Sequence, residues 1–450
     1  MGKTVRSALT IAGLDSSGGA GVTVDLKTFS LLEVYGACVV TALTAQNTRE
    51  VRAVLPVNPR FVREQLKTVL EDLKIYAVKT GILPTEETVK TVAGFVRDYG
   101  LKLVVDPVFR SATGRRFVSR GVVRAYVEKL LPLALTVTPN VYEATVLSNV
   151  KIASIDDMVR AAEKISGFGV SSVVLKGGHL KGKTVTDLFY EKDKTVFYAK
   201  PRRKNDLHGG GCFFSAALTA CLALGMNVSD AVERVESLVQ EVFGFGLKVG
   251  GGFRVVNPLI PVYNRAEMFR VFGSVEEALK RFLAERRLYG FIAEVGTQIA
   301  EALPFPSDVS HVAGVEGRIR RVDGKVRFGK VRFGVSSHMA RLILACNRLN
   351  PKIRAAINLR YDEKLLDAFR REGFTVSSFE RRFEPKRFKL VEGKTLGWGV
   401  REAVKKVGRV PDIIYDLGEP GKEAMIRVVG RDAVEVVEKV CRVLKHLKQG

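Results

Sequence analysis

His208-Gly-Gly-Gly-Cys212 leads directly into an apolar run of small residues, Phe213 to Leu224, which stops at Gly225. Successive glycines let backbone N–H groups converge on an anion without interference from Cβ, and a helix opening there adds the positive end of its dipole. Gly209, Gly210 and Gly211 are therefore a candidate phosphate cradle, and Cys212 falls where a reacting hydroxyl would sit. A thiol at a helix N-terminus is expected to have a lowered pKa, which suits a general base. Further polar residues follow strand-like runs: Asp106 after Leu103-Val-Val105, Thr138-Pro-Asn140 with Glu143 after Leu135-Thr-Val137, and Lys176 after Val173-Val-Leu175. Phosphoryl transfer needs charge neutralisation and in-line positioning more than covalent chemistry. Lys176 is expected to balance phosphate charge, and Asp106 and Glu143 to organise Mg²⁺ directly or through water. The chain contains no GxxxxGK[ST] segment, so the chemistry is not of the P-loop type.

These residues need a scaffold that delivers them to one edge. Apolar runs at Leu9 to Ala12, Gly36 to Thr41, Ala77 to Thr80, Leu103 to Asp106, Leu135 to Pro139 and Ser172 to Lys176 alternate with amphipathic stretches. That is the pattern of an α/β fold with a central, mostly parallel sheet covered by helices on both faces. In such sheets ligands bind beyond the carboxyl ends of the strands, where the polar residues fall.

The segment Ala8 to Thr48, ALTIAGLDSSGGAGVTVDLKTFSLLEVYGACVVTALTAQNT, reads as strand, Gly/Ser/Asp loop, helix, strand and polar exit. It resembles the hydroxymethylpyrimidine and phosphomethylpyrimidine kinases of thiamine biosynthesis, members of the ribokinase superfamily, and the resemblance extends to about Val256. It implies a ribokinase-like domain that uses ATP and Mg²⁺. His208 to Cys212 resembles the family's HGTGC motif with Gly210 in place of threonine, and Leu207 stands where a polar residue is usual; weaker or altered nucleotide binding is expected from both departures. Asn140 matches the nucleotide-site asparagine. Asp15 and Gly18-Gly-Ala-Gly21 resemble the acceptor loop, with Asp25 one helical turn beyond. Gly13, Ala20, Thr44, Gln46, Ile82 and Val108 match positions around the pyrimidine, where the Gln46 amide offers a donor and an acceptor. A pyridoxal-type kinase is an alternative that the same fold allows.

At 450 residues the chain is long enough for a second core. Gly250-Gly-Gly252 is expected to end a helix, and Asn257-Pro-Leu-Ile-Pro261 to be extended. The expected division is a kinase domain over 1–257, a linker over 258–271 and a smaller α/β domain over 272–450, where Ser274-Val-Glu-Glu277 reads as a capping box. Beyond Phe291 come Glu294-Val-Gly296, Val315-Glu-Gly-Arg-Ile319, Phe333 to Arg341, Ala356 to Tyr361, Leu396-Gly-Trp398 and Pro411 to Asp416 with Gly421-Lys-Glu423. Together they resemble the archaeal-type thiamine phosphate synthase domain, over about Phe272 to Lys445. The resemblance implies condensation of hydroxymethylpyrimidine diphosphate with thiazole phosphate and release of pyrophosphate. Ser336 and Ser337 at a helix entrance, with Arg341, are expected to hold phosphate. Arg318, in a strand-like segment, and His338 are the expected catalytic donors, with Arg320 beside them and Lys422 and Asn358 binding substrate. Asp412, Asp416 and Glu423 are open between Mg²⁺, the pyrimidine and structural salt bridges. A thiamine phosphate-sensing, non-catalytic regulatory domain is the alternative for this half, although a kinase stands where a DNA-binding element would be expected.

The net charge of +24 divides between both halves. The first 256 residues carry 34 basic and 24 acidic side chains, a net +10, and the remainder 38 and 24, a net +14. Such a field suits phosphorylated metabolites, and nucleic acid is not expected as a partner. Basic clusters such as Arg202 to Lys204 and Arg381-Arg382 with Lys386-Arg387 read as solvated faces. Five scattered cysteines show neither CxxC spacing nor a disulfide framework. No apolar run reaches the ~20 residues that span a bilayer, and no signal peptide is evident. The expectation is a cytoplasmic enzyme whose partners are small molecules, with homo-oligomerisation left open.

Overall fold

The apolar runs of the first half become strands of one nine-stranded sheet: β1 (Ser7–Asp15), β2 (Tyr35–Gln46), β3 (Val51–Pro56), β4 (Ala77–Thr80), β5 (Leu103–Val105), β6 (Ala134–Val137), β7 (Ser172–Leu175), β8 (Thr184–Glu191) and β9 (Lys194–Pro201). The computed structural model describes residues 5–447 apart from 112, 179, 181, 193, 203–206 and 386–393. The chain divides into two units, Met1–Pro261 and Val262–Gly450.

In the first unit the strand order is β3-β2-β1-β4-β5-β6-β7-β8-β9. The run from β2 through β7 is parallel, and β3, β8 and β9 join antiparallel at the two edges. One face packs Leu9, Ile11, Val78, Leu103, Val105 and Val173 against helices such as Glu86–Asp98 and Ile155–Ser166. The other receives the helix Gly210–Ala223, whose Ala216, Ala217 and Ala220 allow close approach to Ala8, Ala77, Val104 and Val174. A short parallel pair, β10 (Leu207–His208) and β11 (Arg254–Val255), leads into that helix.

The second unit holds a seven-stranded sheet built from β12 (Ile299–Ala302), β13 (Val312–Val315), β16 (Val331–Phe333), β17 (Ala355–Arg360), β18 (Val376–Ser378), β19 (Ile413–Asp416) and β20 (Met425–Gly430), in the order β16-β13-β12-β17-β20-β19-β18. The hairpin β14 (Arg320–Val322) and β15 (Lys325–Arg327) stands apart. All pairs of the large sheet are antiparallel except β18 with β19. Alternation sorts its side chains: Ile357, Ile413, Ile426 and Val428 share one core with the helices Ala433–Val443 and Ile260–Ala284, while Ala356, Ile414 and Val429 share the other with the helix Ser337–Leu349.

Three expectations about the middle of the chain are corrected. Residues 258–271 are not an extended linker, because the 25-residue helix Ile260–Ala284 runs through them. Pro261 lies in its first turn, where a missing N–H costs nothing. Ser274 consequently opens no helix; its hydroxyl donates to Glu301 Oε2 at 2.6 Å. Gly250 to Gly252 lie beyond the end of the helix Val228–Val242 and press against the exit of β2, where a Cβ on Gly252 would sit 2.0 Å from the Thr48 carbonyl oxygen.

The second unit therefore begins inside this helix, at Val262, and holds nearly all of it. Val271 is fully buried, and the Asn264 side chain bonds both the carbonyl (2.9 Å) and the N–H (3.0 Å) of Phe305. A fragment beginning at residue 272 forfeits both, and one buried valine alone contributes about 1.5–3 kcal/mol. Fragment 272–450 is expected to melt at least ~5 °C below fragment 258–450; equal melting temperatures in a thermal-denaturation scan would reject this boundary.

Candidate active sites

β1 ends in Asp15, whose Oδ1 accepts from the Ser17 N–H and hydroxyl, both at 2.8 Å. Its Oδ2 lies 3.0 Å from His208 Nε2 and 3.3 Å from Gln46 Nε2. Burial opposes ionisation of Asp15, but the His208 and Ser17 contacts outweigh it and hold the carboxyl below its usual range. Gly21 takes a left-handed φ of 60°, and a Cβ there would lie 2.1 Å from the Gly13 carbonyl oxygen, so the loop folds onto β1 only with glycine. Gly13 in turn abuts Ile82, to which a Cβ would come within 3.3 Å. Thr44 donates to the Leu14 carbonyl at 3.2 Å, and Ala20, Ile82 and Val108 are half-buried.

Asp25 lies beneath this loop rather than in it. It is fully buried, accepting from Lys79 Nζ at 2.8 Å and Thr10 Oγ1 at 2.7 Å, so neither carboxylate oxygen is left for a ligand. Asp25, Asp106 and the Cys212 sulphur together keep Lys79 protonated against the cost of burial. Cys212 is half-buried at the start of the helix Gly210–Ala223 and is hydrogen-bonded by the Gly21 backbone, which joins the acceptor loop to the glycine turn. The expected fall in its pKa is overturned. Burial pushes the thiol up to about 12; Lys79 and the Gly21 amide pull against that, while the carboxylates of Asp25 and Asp106 add to it.

Gly209, with φ 83°, is the N-cap of this helix. A Cβ on Gly211 would lie 3.3 Å from Lys176 Nζ, which places the ammonium against the helix entrance. Lys176 also donates to Asp106 Oδ1 at 3.2 Å, while Ser215 donates to Asp106 Oδ2 at 3.0 Å. Asn140 and Glu143 form a reciprocal capping box for the helix Val141–Ser148. Burial pushes the Glu143 carboxyl up to about 8 against the pull of Lys176, with Asp106 adding to the rise. At Gly210 a Cβ would meet Phe243 Cζ at 3.0 Å, so that ring fills the room a side chain would use.

In the second unit Asp416 is fully buried between two guanidinium groups. Arg381 Nε donates to its Oδ1 at 2.6 Å and Arg427 Nη1 to its Oδ2 at 2.7 Å. Burial opposes ionisation, yet Arg427 and Arg381 hold Asp416 below the usual carboxylate range. Arg381, expected on a solvated face, is thus buried; Lys386 and Arg387 lie outside the described residues. His338 stands exposed in the first turn of the helix Ser337–Leu349. Desolvation and the charges of Arg427, Arg318 and Arg381 push it down to about 4, and with the residue exposed the arginines are the firmer cause. Ser336 is the N-cap, but its hydroxyl does not cap the helix. Arg318 is not in a strand: it has a left-handed φ of 65° after Gly317 and donates to the Val295 carbonyl at 2.8 Å.

The phosphomethylpyrimidine kinase family profile matches residues 15–257, and the thiamine-phosphate synthase ThiN profile matches residues 274–442. The bifunctional thiamine biosynthesis protein ThiDN of Methanocaldococcus jannaschii is 34% identical over 435 residues, covering 96% of this chain and 97% of its own. The chain belongs to this bifunctional thiamine biosynthesis family. It carries a hydroxymethylpyrimidine/phosphomethylpyrimidine kinase domain followed by a thiamine-phosphate synthase domain. The hydroxymethylpyrimidine/phosphomethylpyrimidine kinase of Rhizobium meliloti is 44% identical over 250 residues, 54% of this chain and 94% of its own. Among solved structures, an ADP complex of Bacillus subtilis pyridoxal kinase is similar with a TM-score of 0.54 and 33% identity over 58% of this chain and 99% of its own. Staphylococcus aureus pyridoxal kinase with AMP-PCP and pyridoxal gives 0.53 and 34% over 57% and 94%. The fold of the kinase unit is ribokinase-like.

In the kinase unit the structure brings Asp15 together with Gln46 and His208, and Lys176 together with Asp106 at the glycine turn, while Glu143 is engaged with Asn140 in the capping box. Lys79, Ser215 and His208 as a ring contact of Asp15 escaped the sequence reading. Lys79 sits inside the apolar run Ala77 to Thr80, and a charged residue in a buried strand was the signal that could have found it. In the synthase unit Arg427 was missed inside the apolar strand Met425–Gly430 for the same reason. Asn358 and Glu423 act one step back: Asn358 bonds the Gly296 carbonyl (3.1 Å) and Gln298 N–H (2.8 Å), and Glu423 accepts from Glu294 and Val295 N–H, so both brace the segment against which Arg318 lies. Lys422 is exposed and paired with Glu419 at 2.8 Å, while Asp412 pairs with Lys439 at 2.7 Å. Arg341 is half-buried on the same helix as His338.

Lys79→Met leaves Asp25 buried without its partner and is expected to destabilise the kinase unit by about 3–5 kcal/mol, with much of the loss recovered in Lys79→Met/Asp25→Leu. Denaturant unfolding reads both, and a single variant as stable as the parent would contradict the pairing. For His338 the shift is downward, so the folded state favours the neutral ring, and its contribution is lost as pH falls from about 6.5 towards about 4. A midpoint near 4 is expected in an NMR titration of the His338 ring; a midpoint near 6.5 would separate it from the arginine cluster.

Proposed function

We propose that the kinase unit uses ATP and Mg²⁺ to phosphorylate 4-amino-5-hydroxymethyl-2-methylpyrimidine and then its monophosphate, and that the synthase unit joins the diphosphate to thiazole phosphate in the cytoplasm. The observation that carries the reading is the Lys176 ammonium against Gly211, one residue before Cys212, with the Gly21 amide on the sulphur. Phosphate charge is met by Lys176 and by the N–H groups of the glycine turn, and the acceptor hydroxyl lies between that turn and the Asp15 loop.

Asp106 and Glu143 fit a divalent cation. Burial and the Asp106 charge keep the Glu143 carboxyl raised even against the pull of Lys176, so a further positive charge there would be favoured. Among the described residues no group of three or more His, Cys, Asp and Glu stands together, so Asp106 and Glu143 are the side chains that would hold the ion. Mg²⁺, when bound, supplies neutralisation of phosphate charge. Because phosphoryl transfer passes through a loose transition state, the acceptor proton need not leave early. Cys212, a thiol in the unliganded site, accordingly serves as the hydroxyl's hydrogen-bond partner, and the hydroxyl proton passes late in the transfer to an oxygen of the transferred phosphate.

In the synthase unit the bond between the pyrimidine methylene carbon and the pyrophosphate oxygen breaks, and the thiazole nitrogen supplies the electron pair of the new C–N bond. Negative charge grows on pyrophosphate, next to His338 as a neutral N–H donor and Arg318 as a cation, with Arg341 and the helix entrance holding phosphate. Pyridoxal is a second reading for the kinase acceptor, favoured by the pyridoxal kinases among the solved relatives. Competition between pyridoxal and hydroxymethylpyrimidine for phosphorylation decides it.

Cys212→Ala is expected to slow both phosphorylations by about tenfold to a hundredfold, the scale of one lost buried hydrogen-bond partner, while leaving condensation of supplied diphosphate intact. His338→Ala and Arg318→Ala are expected to lower thiamine phosphate formation by roughly 10² to 10³ and spare the kinase. Unchanged kinase turnover in the first variant would remove Cys212 from the reaction, and near-normal condensation in both of the others would return the second unit to a sensing role.

A further inference from the structure

Asp15, Gln46 and His208 meet in a triangle that cannot satisfy every contact as a simple set of donors and acceptors. His208 Nε2 is 3.0 Å from Asp15 Oδ2 and 2.8 Å from the end of the Gln46 amide, while Asp15 Oδ1 is occupied by Ser17. One ring nitrogen cannot accept from an amide NH₂ and also donate to a carboxylate. Asp15 is an anion here, so a bare ring lone pair at 3.0 Å would face negative charge, whereas an Nε2–H makes a charge-assisted bond. The proton therefore belongs on His208 Nε2. The Gln46 atom facing it must then be the carbonyl oxygen, since the two ends of an amide have nearly the same shape and only the hydrogen-bond network tells them apart.

Thr44 tolerates either orientation. Its hydroxyl can donate to Gln46 Oε1 at 3.5 Å or to the Leu14 carbonyl at the shorter 3.2 Å, and in the second case it is free to accept from an NH₂. Turning the amide gives up a long 3.3 Å contact to Asp15 and leaves a carbonyl oxygen there, with the His208 Nε2–H shared between that oxygen and the carboxylate.

We propose that His208, held by Asp15, is a positioning residue that fixes the Gln46 amide with its NH₂ toward the acceptor pocket, so the pocket reads an acceptor atom on the heteroaromatic ring edge. The inference rests on the reading of Gln46 as the residue facing the pyrimidine. His208 is held in turn by the glycine loop: a Cβ on Gly19 would lie 2.8 Å from its Cδ2. With only 9% of its surface exposed, the ring has one orientation available to it through these contacts.

The test is a double-mutant cycle on the full chain, with Michaelis constants measured separately for hydroxymethylpyrimidine and ATP. Gln46→Leu and His208→Ala should each raise the acceptor constant about tenfold, the scale of one unpaired buried partner, and leave that for ATP within about twofold. The double variant should be no worse than Gln46→Leu alone. Gln46→Glu, which cannot present an NH₂, should be as impaired as Gln46→Leu. An effect of Gln46→Leu without one of His208→Ala, additive losses, or a near-normal Gln46→Glu would each overturn the positioning role while leaving the Gln46 reading in place. No effect of Gln46→Leu would overturn both. Should His208→Ala fail to fold, ¹⁵N NMR of the parent protein still decides: a proton on Nε2 of His208 is required, and a proton on Nδ1 alone refutes the arrangement.

Discussion

Lys79 and Asp25 meet at 2.8 Å with neither side chain exposed, and the acceptor loop, the floor of β1 and β4 and the Cys212 thiol are arranged around that pair. An unpaired charge at that depth would cost several kcal/mol, so the two positions are bound to each other. Lys79 comes from β4 and Asp25 from the helix Val22–Leu31, while Thr10 of β1 adds a third contact to the carboxylate. The loop from Asp15 to Gly21 is thereby tied down at its helical end. Gly21 can then press onto Gly13 and turn its N–H to the Cys212 sulphur.

That buried charge also decides the chemistry available to the thiol. A helix N-terminus and a lysine both favour a thiolate, but their influence competes with desolvation and with two carboxylates, and the sum favours the thiol. Lys176 is a different case. Burial works against its charge too, yet Asp106 and Glu143 outweigh it and keep the ammonium protonated. The result is a cation against the glycine turn and, at the start of the same helix, a neutral thiol.

The synthase unit uses the same physics with the opposite excess. One buried carboxylate, Asp416, faces Arg381 and Arg427, and Arg318 adds to the field at His338. The imidazole is left neutral beside a buried cluster with an excess of positive charge. Such an arrangement favours a nearby anion without asking histidine to carry charge, and His338 is exposed.

Alternating apolar runs and the polar residues that end them were enough to read the parallel sheet, the edge at which Asp106, Glu143 and Lys176 gather, and the glycine turn before Cys212, because each depends on local spacing. Motifs spanning a few residues likewise marked His338 and Arg318. Periodicity said nothing about Lys79 or Arg427, since a charge within an apolar strand gains meaning only when its partner arrives from 54 residues or 11 residues away. The helix Ile260–Ala284 was hidden by Pro261, whose effect depends on whether it falls in a first turn or an interior one. The protonation of Cys212 and the direction of the Gln46 amide belong to the same class. The residue types and their order along the chain determined which chemistry was available, and tertiary packing alone decided the electrostatic state of each group, because that state is set by neighbours that sequence distance does not reveal.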